Sequence, residues 1–249
     1  MPAPDHFSPI AANYARGRIG YPRDLFQFLA DQCPEHQLAW DCATGTGQAA
    51  GDLVDSFSQV VATDISPELL ALTRPHPRVA YRKAPAEASG LEASSVDVIV
   101  VAQAVHWFNL GEFWREVQRV SKPNGLLAYW GYNWSMVSPE VDRVLEEFKT
   151  TIAAYWPKQS ALLHQGYRSV HPPFAEFECP RFEARAEWAL ADYLAHLRSW
   201  SAVRYYREAV GSDPVLKYAE AFAVAWPESP PPARWPLITK VFRPGATPT

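Results

Sequence analysis

One short stretch is the first to suggest chemistry: Trp40-Asp41-Cys42-Ala43-Thr44-Gly45-Thr46-Gly47-Gln48. An apolar run ends in an acid, and a glycine-rich turn follows. Glycine lets backbone approach a ligand closely, and the start of the next helix favours polar or anionic groups. The following β-branched run, Gln59 to Asp64, also ends in an acid. A carboxylate at such a strand tip can accept both hydroxyls of a ribose, so a nucleoside is the expected ligand. Two cofactor classes share this geometry. Gly45, Gly47 and Ala50 satisfy the spacing of dinucleotide sites, which leaves NAD open. Asp41 argues the other way, because a carboxylate repels a pyrophosphate and attracts an α-ammonium group. That favours an aminoacyl nucleoside, S-adenosylmethionine.

These residues need a scaffold, and the apolar pattern supplies one. Leu25, Phe26 and Leu29 mark a helix over Arg23 to Gln32, opened by Pro22. Leu38 to Cys42, Gln59 to Asp64, Val79 to Lys83 and Val96 to Ala102 read as strands. The last, VDVIVVA, is apolar almost throughout, as a strand buried on both faces should be. Leu110, Phe113, Trp114, Val117 and Val120 mark a helix that Lys122-Pro123-Asn124-Gly125 stops, and Leu126 to Tyr132 follows as a strand. Alternating strands and helices with short turns predict an α/β fold: a doubly wound, mostly parallel, seven-stranded sheet with right-handed crossovers. After Ser138-Pro139-Glu140 the chain turns helical, with apolar faces at Val141 to Ile152, Leu190 to Leu197 and Val215 to Phe222. Phe177 to Trp188 reads as one strand with irregular flanks. Pro227 to Pro236 reads as a proline-rich loop, and Leu237 to Phe242 as the last strand. No linker divides the chain. The expectation is a single domain, 1–249. It comprises a covering segment (1–35), a cofactor core (36–135), a helical cap with a strand (136–236), and a final strand and tail (237–249).

The bulk properties exclude several functions. The chain has 249 residues, 48% of them hydrophobic and 20% charged, a globular balance. Its net charge of −4 and lack of a basic run argue against a nucleic-acid partner. Cys33, Cys42 and Cys179 are too scattered for a disulfide framework or a zinc pattern, so no metal and a reducing cytoplasmic setting are expected. The N-terminal residues have no signal-peptide pattern, and no apolar run is long enough for a membrane span.

Further motifs fall in an order that resembles a known family. They are Tyr14-Ala15-Arg16-Gly17-Arg18 with Tyr21-Pro22, then Asp41 to Gln48 and Ala62-Thr63-Asp64-Ile65-Ser66. Ala84-Pro85-Ala86-Glu87, Ala102 to Phe108 and Lys122 to Ala128 follow. Together they resemble class I S-adenosylmethionine-dependent methyltransferases of the type 11 small-molecule group, near the trans-aconitate methyltransferase-like proteins. The resemblance covers roughly the first 130 residues. Two residues depart from the pattern: Ala43 stands where the first family glycine falls, and Pro85 where many relatives have an aspartate. The resemblance implies S-adenosylmethionine as cofactor and assigns roles. Asp41 would lie near the methionine ammonium, with Ala43, Gly45 and Gly47 forming the turn beneath the cofactor. Asp64 would take the ribose, Ile65 would pack on adenine, and Ala86 and Glu87 would face its edge. Gln103 and Val105 would flank the methionine end, and Tyr14 and Arg18 would close over the whole.

Methyl transfer asks the protein for in-line placement and exclusion of water, and for a base only when the acceptor is protonated. His106 is the candidate base, because it follows a parallel strand at the end where α/β sheets place their sites. Trp107, Trp130, Tyr132, Trp200 and Arg204 are candidates for the acceptor pocket. The aromatics suit a small planar molecule and the arginine a carboxylate. The expected partner is a small-molecule methyl acceptor, with neither nucleic acid nor membrane, on a monomer or homodimer. The reaction expected is O-methylation of a carboxylate or hydroxyl. The alternatives are an NAD-dependent oxidoreductase, against which no Tyr-x-x-x-Lys pair is found, and an inactive nucleoside-binding protein.

Overall fold

A computed structural model describes residues 19–246. Helix α1 (Arg23–Asp31) leads into β1 (Leu38–Cys42), α2 (Gln48–Leu53), β2 (Gln59–Asp64), α3 (Pro67–Leu70) and β3 (Val79–Lys83). Then come β4 (Val96–Ala102), a 3₁₀ turn (Val105–Trp107), α4 (Leu110–Val120) and β5 (Ser121–Gly131). The later part holds α5 (Pro139–Ile152), α6 (Ser160–His164), β6 (Ala175–Phe177), β7 (Glu183–Ala186), α7 (Leu190–Arg198), α8 (Ser201–Val210), α9 (Pro214–Ala225), β8 (Ala233–Pro236) and β9 (Ile238–Arg243).

Seven strands form one sheet in the order β3-β2-β1-β4-β5-β9-β6, as the pattern predicted in number and class. Strands β1 to β5 pair in parallel, and β9 runs antiparallel to β5 and β6. The order reverses between β1 and β4. An open α/β sheet leaves its crevice there, outside the carboxyl ends of those two strands.

The apolar runs explain the layers. Along β4, Val98 and Val100 enter one core, while Ile99 and Val101 enter the other. Helix α1 packs Leu25, Phe26 and Leu29 into the first core, and α4 packs Phe113, Val117 and Val120 into the second. The first core continues without a break into the later helices through Phe148, Tyr193, Trp200 and Phe222. Those helices are held by local stops and starts. Ser138 Oγ accepts the Val141 N–H at the start of α5, and Asp213 caps α9 by accepting the Val215 N–H at 2.9 Å.

Three elements differ from the sequence pattern. Strand β5 begins at Ser121, because its register with β4 shifts between Val96 and Val98 and the Lys122–Gly125 turn is taken up as a bulge. The single strand expected over Phe177 to Trp188 is two, β6 on the main sheet and β7 in a separate pair with β8. The proline-rich segment is not loop to its end. Ala233 and Trp235 alternate inward, so Ala233–Pro236 pairs with β7. Proline is tolerated on so short an edge. Among the described residues, no helix is long and apolar enough to cross a membrane.

Candidate active site

The turn after β1 is built by its own neighbours. Gly45 N–H donates to Asp64 Oδ2 at 2.8 Å, and Ser66 N–H donates to Asp64 Oδ1 at 2.8 Å. Thr44 N–H donates to the Thr63 carbonyl at 2.9 Å. The strand-tip acid therefore pins the glycine turn as well as the loop after β2. Gly45 and Gly47 are left-handed, and so is Ala43, at φ 58°. A side chain at that angle costs energy that glycine would not. Tyr81 of β3 lies across the turn: a Cβ on Gly47 would come within 2.7 Å of its hydroxyl.

Asp41 is fully buried beneath this turn. Thr44 Oγ1 donates to its Oδ2 at 2.5 Å, while Oδ1 has no hydrogen-bond partner among the described residues. Burial pushes the carboxyl up to about 7, against the pull of the Thr44 hydroxyl.

The turn after β3, Ala84 to Ser89, is anchored to α4 from two sides. Glu87 Oε1 accepts the Asn109 N–H at 2.8 Å. Ser89 donates its N–H to Glu116 at 2.8 Å, and Arg119 completes that carboxylate's partners. Glu87 thus holds the helix start, while the Ala86 N–H donates to no described residue. Ile65 is half-buried and outside both cores.

At the tip of β4 the chain is strained again. Gln103 is left-handed at φ 58°, and its N–H donates to the Trp130 carbonyl at 2.8 Å. Its side chain donates to the Tyr132 carbonyl at 3.1 Å and accepts the Tyr132 N–H at 3.0 Å. The amide thereby extends the β4–β5 pairing past the last strand residue. The Val105 side chain is fully buried in the second core, so only its backbone can face a ligand. Three of the four left-handed non-glycine residues described, Ala43, Gln103 and Tyr167, cluster at this end of the molecule. Such strain gathers where a fold builds a site.

Beside Gln103 opens a cleft between β4, β5 and the later helices. Its walls include His106, Trp107, Tyr132, Asn133, Trp156, His164, His196 and Trp200. His106 is 6% exposed, and its Nδ1 lies 3.3 Å from the Tyr167 hydroxyl. Burial, helped by His164, lowers the imidazole to about 3, so it is neutral at physiological pH. Trp200 Nε1 donates to His196 Nε2 at 3.3 Å. Trp134, Trp156 and Trp200 pack mutually, with ring centroids 5.4–5.9 Å apart.

The structure brings most of the expected residues to this end, with exceptions. Trp107, Tyr132 and Trp200 line the cleft. Trp130 does not: it is fully buried in the first core, edge-on to Tyr21 and Phe26, one strand step short of the cleft-lining Tyr132. Arg204 is not among the cleft's lining residues, since it lies over the Tyr205 ring and pairs with Glu208 at 3.6 Å. Tyr14 and Arg18 lie outside the described residues. Among the described residues, no group of His, Cys, Asp or Glu is arranged to hold a metal ion. Sequence reasoning missed Tyr81, Trp156, His164, Tyr167 and His196. Each comes from an element with no motif, and no local pattern marks them.

Residues 40–129 match the family model described as a methyltransferase domain. The solved "Putative Type II Methyltransferase" from Anaeromyxobacter dehalogenans is 38% identical, spans 92% of this chain and 99% of that one, and superposes with a TM-score of 0.85. The chain belongs to the class I S-adenosylmethionine-dependent methyltransferases. A methyltransferase-named protein of Dictyostelium discoideum is 28% identical over 89% of this methyltransferase and 86% of its own length. One from Mycobacterium bovis is 35% identical over about half of each chain, 49% and 50%. With the family in hand, the dinucleotide reading of the glycine turn is set aside.

The residues of the turn fit the family's methyl donor. Asp41 is a buried carboxyl that the Thr44 hydroxyl and the Ala50 backbone N–H only partly satisfy, and its Oδ1 is left for an ammonium group. The Ala86 N–H and the half-buried Ile65 offer a donor and an apolar surface at the other end.

Proposed function

We propose that this methyltransferase methylates an oxygen of a small molecule held in the cleft beside β4. The observation that carries the reading is the cleft itself. It adjoins the tip of β4, and aromatic rings and imidazoles wall it, the His106 ring among them held neutral by burial. Such walls suit a small planar molecule and keep water out.

S-adenosylmethionine, when bound, supplies an activated methyl group on a sulfonium. Everything else falls to the chain. Asp41 would hold the ammonium group, and Ala43, Gly45 and Gly47 would pass their backbone beneath the ligand. Asp64 would accept from the ribose, Ile65 would cover adenine, and the Ala86 N–H would donate to it. Glu87 acts through Asn109, by keeping that turn in place. Gln103 and the Val105 backbone would flank the reacting end, and Tyr14 and Arg18 would belong to a covering segment, 1–35. Trp107, Tyr132 and Trp200 would enclose the acceptor, with His106 as the polar group nearest it. The core at 36–135 would carry the donor, and the cap at 136–236 would choose the acceptor.

Calorimetric titration with S-adenosylhomocysteine, with NAD run in parallel, tests the first half. Micromolar binding of the former alone is expected. A panel of carboxylic acids and phenols with methyl-labelled donor tests the second half. Label transfer only to nitrogen or carbon acceptors would overturn the oxygen assignment.

A further inference from the structure

Tyr167 follows α6, far along the chain from His106, and still completes the tip of β4. It is 1% exposed and left-handed at φ 57°. Its ring meets Tyr129 edge-on at 5.5 Å, and its hydroxyl rests over Gly131, where a Cβ would come within 2.7 Å. The hydroxyl's hydrogen-bond partner among the described residues is His106 Nδ1, at 3.3 Å.

Proton accounting then fixes the imidazole. A phenol carries one proton, and a buried hydroxyl must place it on an acceptor. If Nδ1 held the ring proton, it would donate to the phenol oxygen and leave the hydroxyl proton buried without an acceptor. If Nδ1 is bare, the hydroxyl donates to it and both atoms are satisfied. The ring proton then sits on Nε2, the nitrogen left for the cleft that His106 lines.

We infer that Tyr167 is a positioning residue that fixes His106 as its Nε2–H tautomer, so that His106 offers the acceptor a hydrogen-bond donor and not a base. The reacting oxygen must then reach the cleft already without its proton, as a carboxylate or an ionised phenol does. The Nε2–H would orient that oxyanion and partly neutralise it. Burial supports the same arrangement, because it keeps the imidazole neutral and pushes the Tyr167 phenol up, so it retains its proton. The consequence for the acceptor rests on the reading of the cleft given under Proposed function. The tautomer does not.

Long-range proton–nitrogen NMR of the full chain tests the inference. The His106 signals are assigned by their loss in His106→Gln. The expected spectrum has a pyridine-type Nδ1 and a pyrrole-type Nε2, and Tyr167→Phe shifts it toward a mixture of tautomers. A pyridine-type Nε2 in the natural chain overturns the donor assignment. An unchanged tautomer in a folded Tyr167→Phe overturns the role of Tyr167. If that variant does not fold, a slowly exchanging Tyr167 hydroxyl proton with a cross-relaxation peak to the His106 ring supports the role, and its absence overturns it. Titration of the same sample with S-adenosylhomocysteine reads the proposed function separately. A sample that binds none but keeps the expected tautomer sinks that function and leaves this inference standing.

Discussion

At the carboxyl ends of β1 and β2, polar groups are held by the backbone of the adjoining turns: Asp64 takes the amides of Gly45 and Ser66. Around the cleft the partners come from farther along the chain. His106 meets Tyr167, Gln103 meets the Tyr132 backbone, and Ser135 meets the Tyr193 hydroxyl at 2.8 Å. Each region also buries a strongly shifted group, and in opposite senses. Asp41 is an acid held partly protonated by burial, whereas His106 is a base held neutral. The first region is rigid because a short turn has few alternatives. The second is rigid only because large rings interlock.

The two buried groups should give opposite pH slopes, which is the sharpest way to test the contrast. The folded pKa of His106, about 3, is below the ordinary 6.5. Its unfolded form therefore takes a proton that the folded form refuses, and stability falls as pH drops from 6.5 toward 3. The loss should approach about 5 kcal/mol across that window. His106→Gln should remove this part of the slope in urea midpoints measured between pH 7 and 4. An unchanged slope would place the acid sensitivity elsewhere.

Asp41 runs the other way. Its folded pKa, about 7, is above the ordinary 3.8, so stability is lost as pH rises between those values. Asp41→Asn should be more stable than the natural chain by about 4 kcal/mol at pH 8, with the difference vanishing below pH 4. The same variant should bind S-adenosylhomocysteine roughly 10-fold more weakly, through the lost charge on its ammonium group. A stabilised variant with unchanged affinity would break the link between Asp41 and the donor.

Gly131, at the end of β5, sits against the cleft wall. A Cβ there would meet Leu163 at 2.5 Å, Gln103 Oε1 at 2.6 Å and the Tyr167 hydroxyl at 2.7 Å. Gly131→Ala should cost about 2 kcal/mol by overpacking, read as a lower urea midpoint. It should also disturb the His106 signals. A smaller effect follows at the turn. Ala43→Gly should stabilise by about 1 kcal/mol, because it relieves a left-handed alanine. A loss of stability there would show that the alanine methyl packs better than its backbone suffers.

The glycine turn, the two strand-tip acids and the doubly wound sheet were legible because each is a local pattern. Apolar runs set the strands, and Asp41, Gly45, Gly47 and Asp64 lie at their ends. What the spacing could not give is the direction of side chains that packing sets. Trp130 and Tyr132 are neighbours in spacing, yet one is sealed under α1 and the other lines the cleft. Arg204 packs over Tyr205 and pairs with Glu208 at 3.6 Å, while its buried Nε has no partner among the described residues.

By itself the sequence determined the fold class, because periodicity and turn residues act over a few positions, and it carried the ordered motifs by which the family is recognised. The tertiary structure alone decided the walls of the cleft. It placed Tyr167 on His106, His196 against Trp200, and Gly131 beneath both β4 and the cap. Those contacts depend on which rings fill a shared space once the helices close over the sheet. No spacing along the chain encodes that choice.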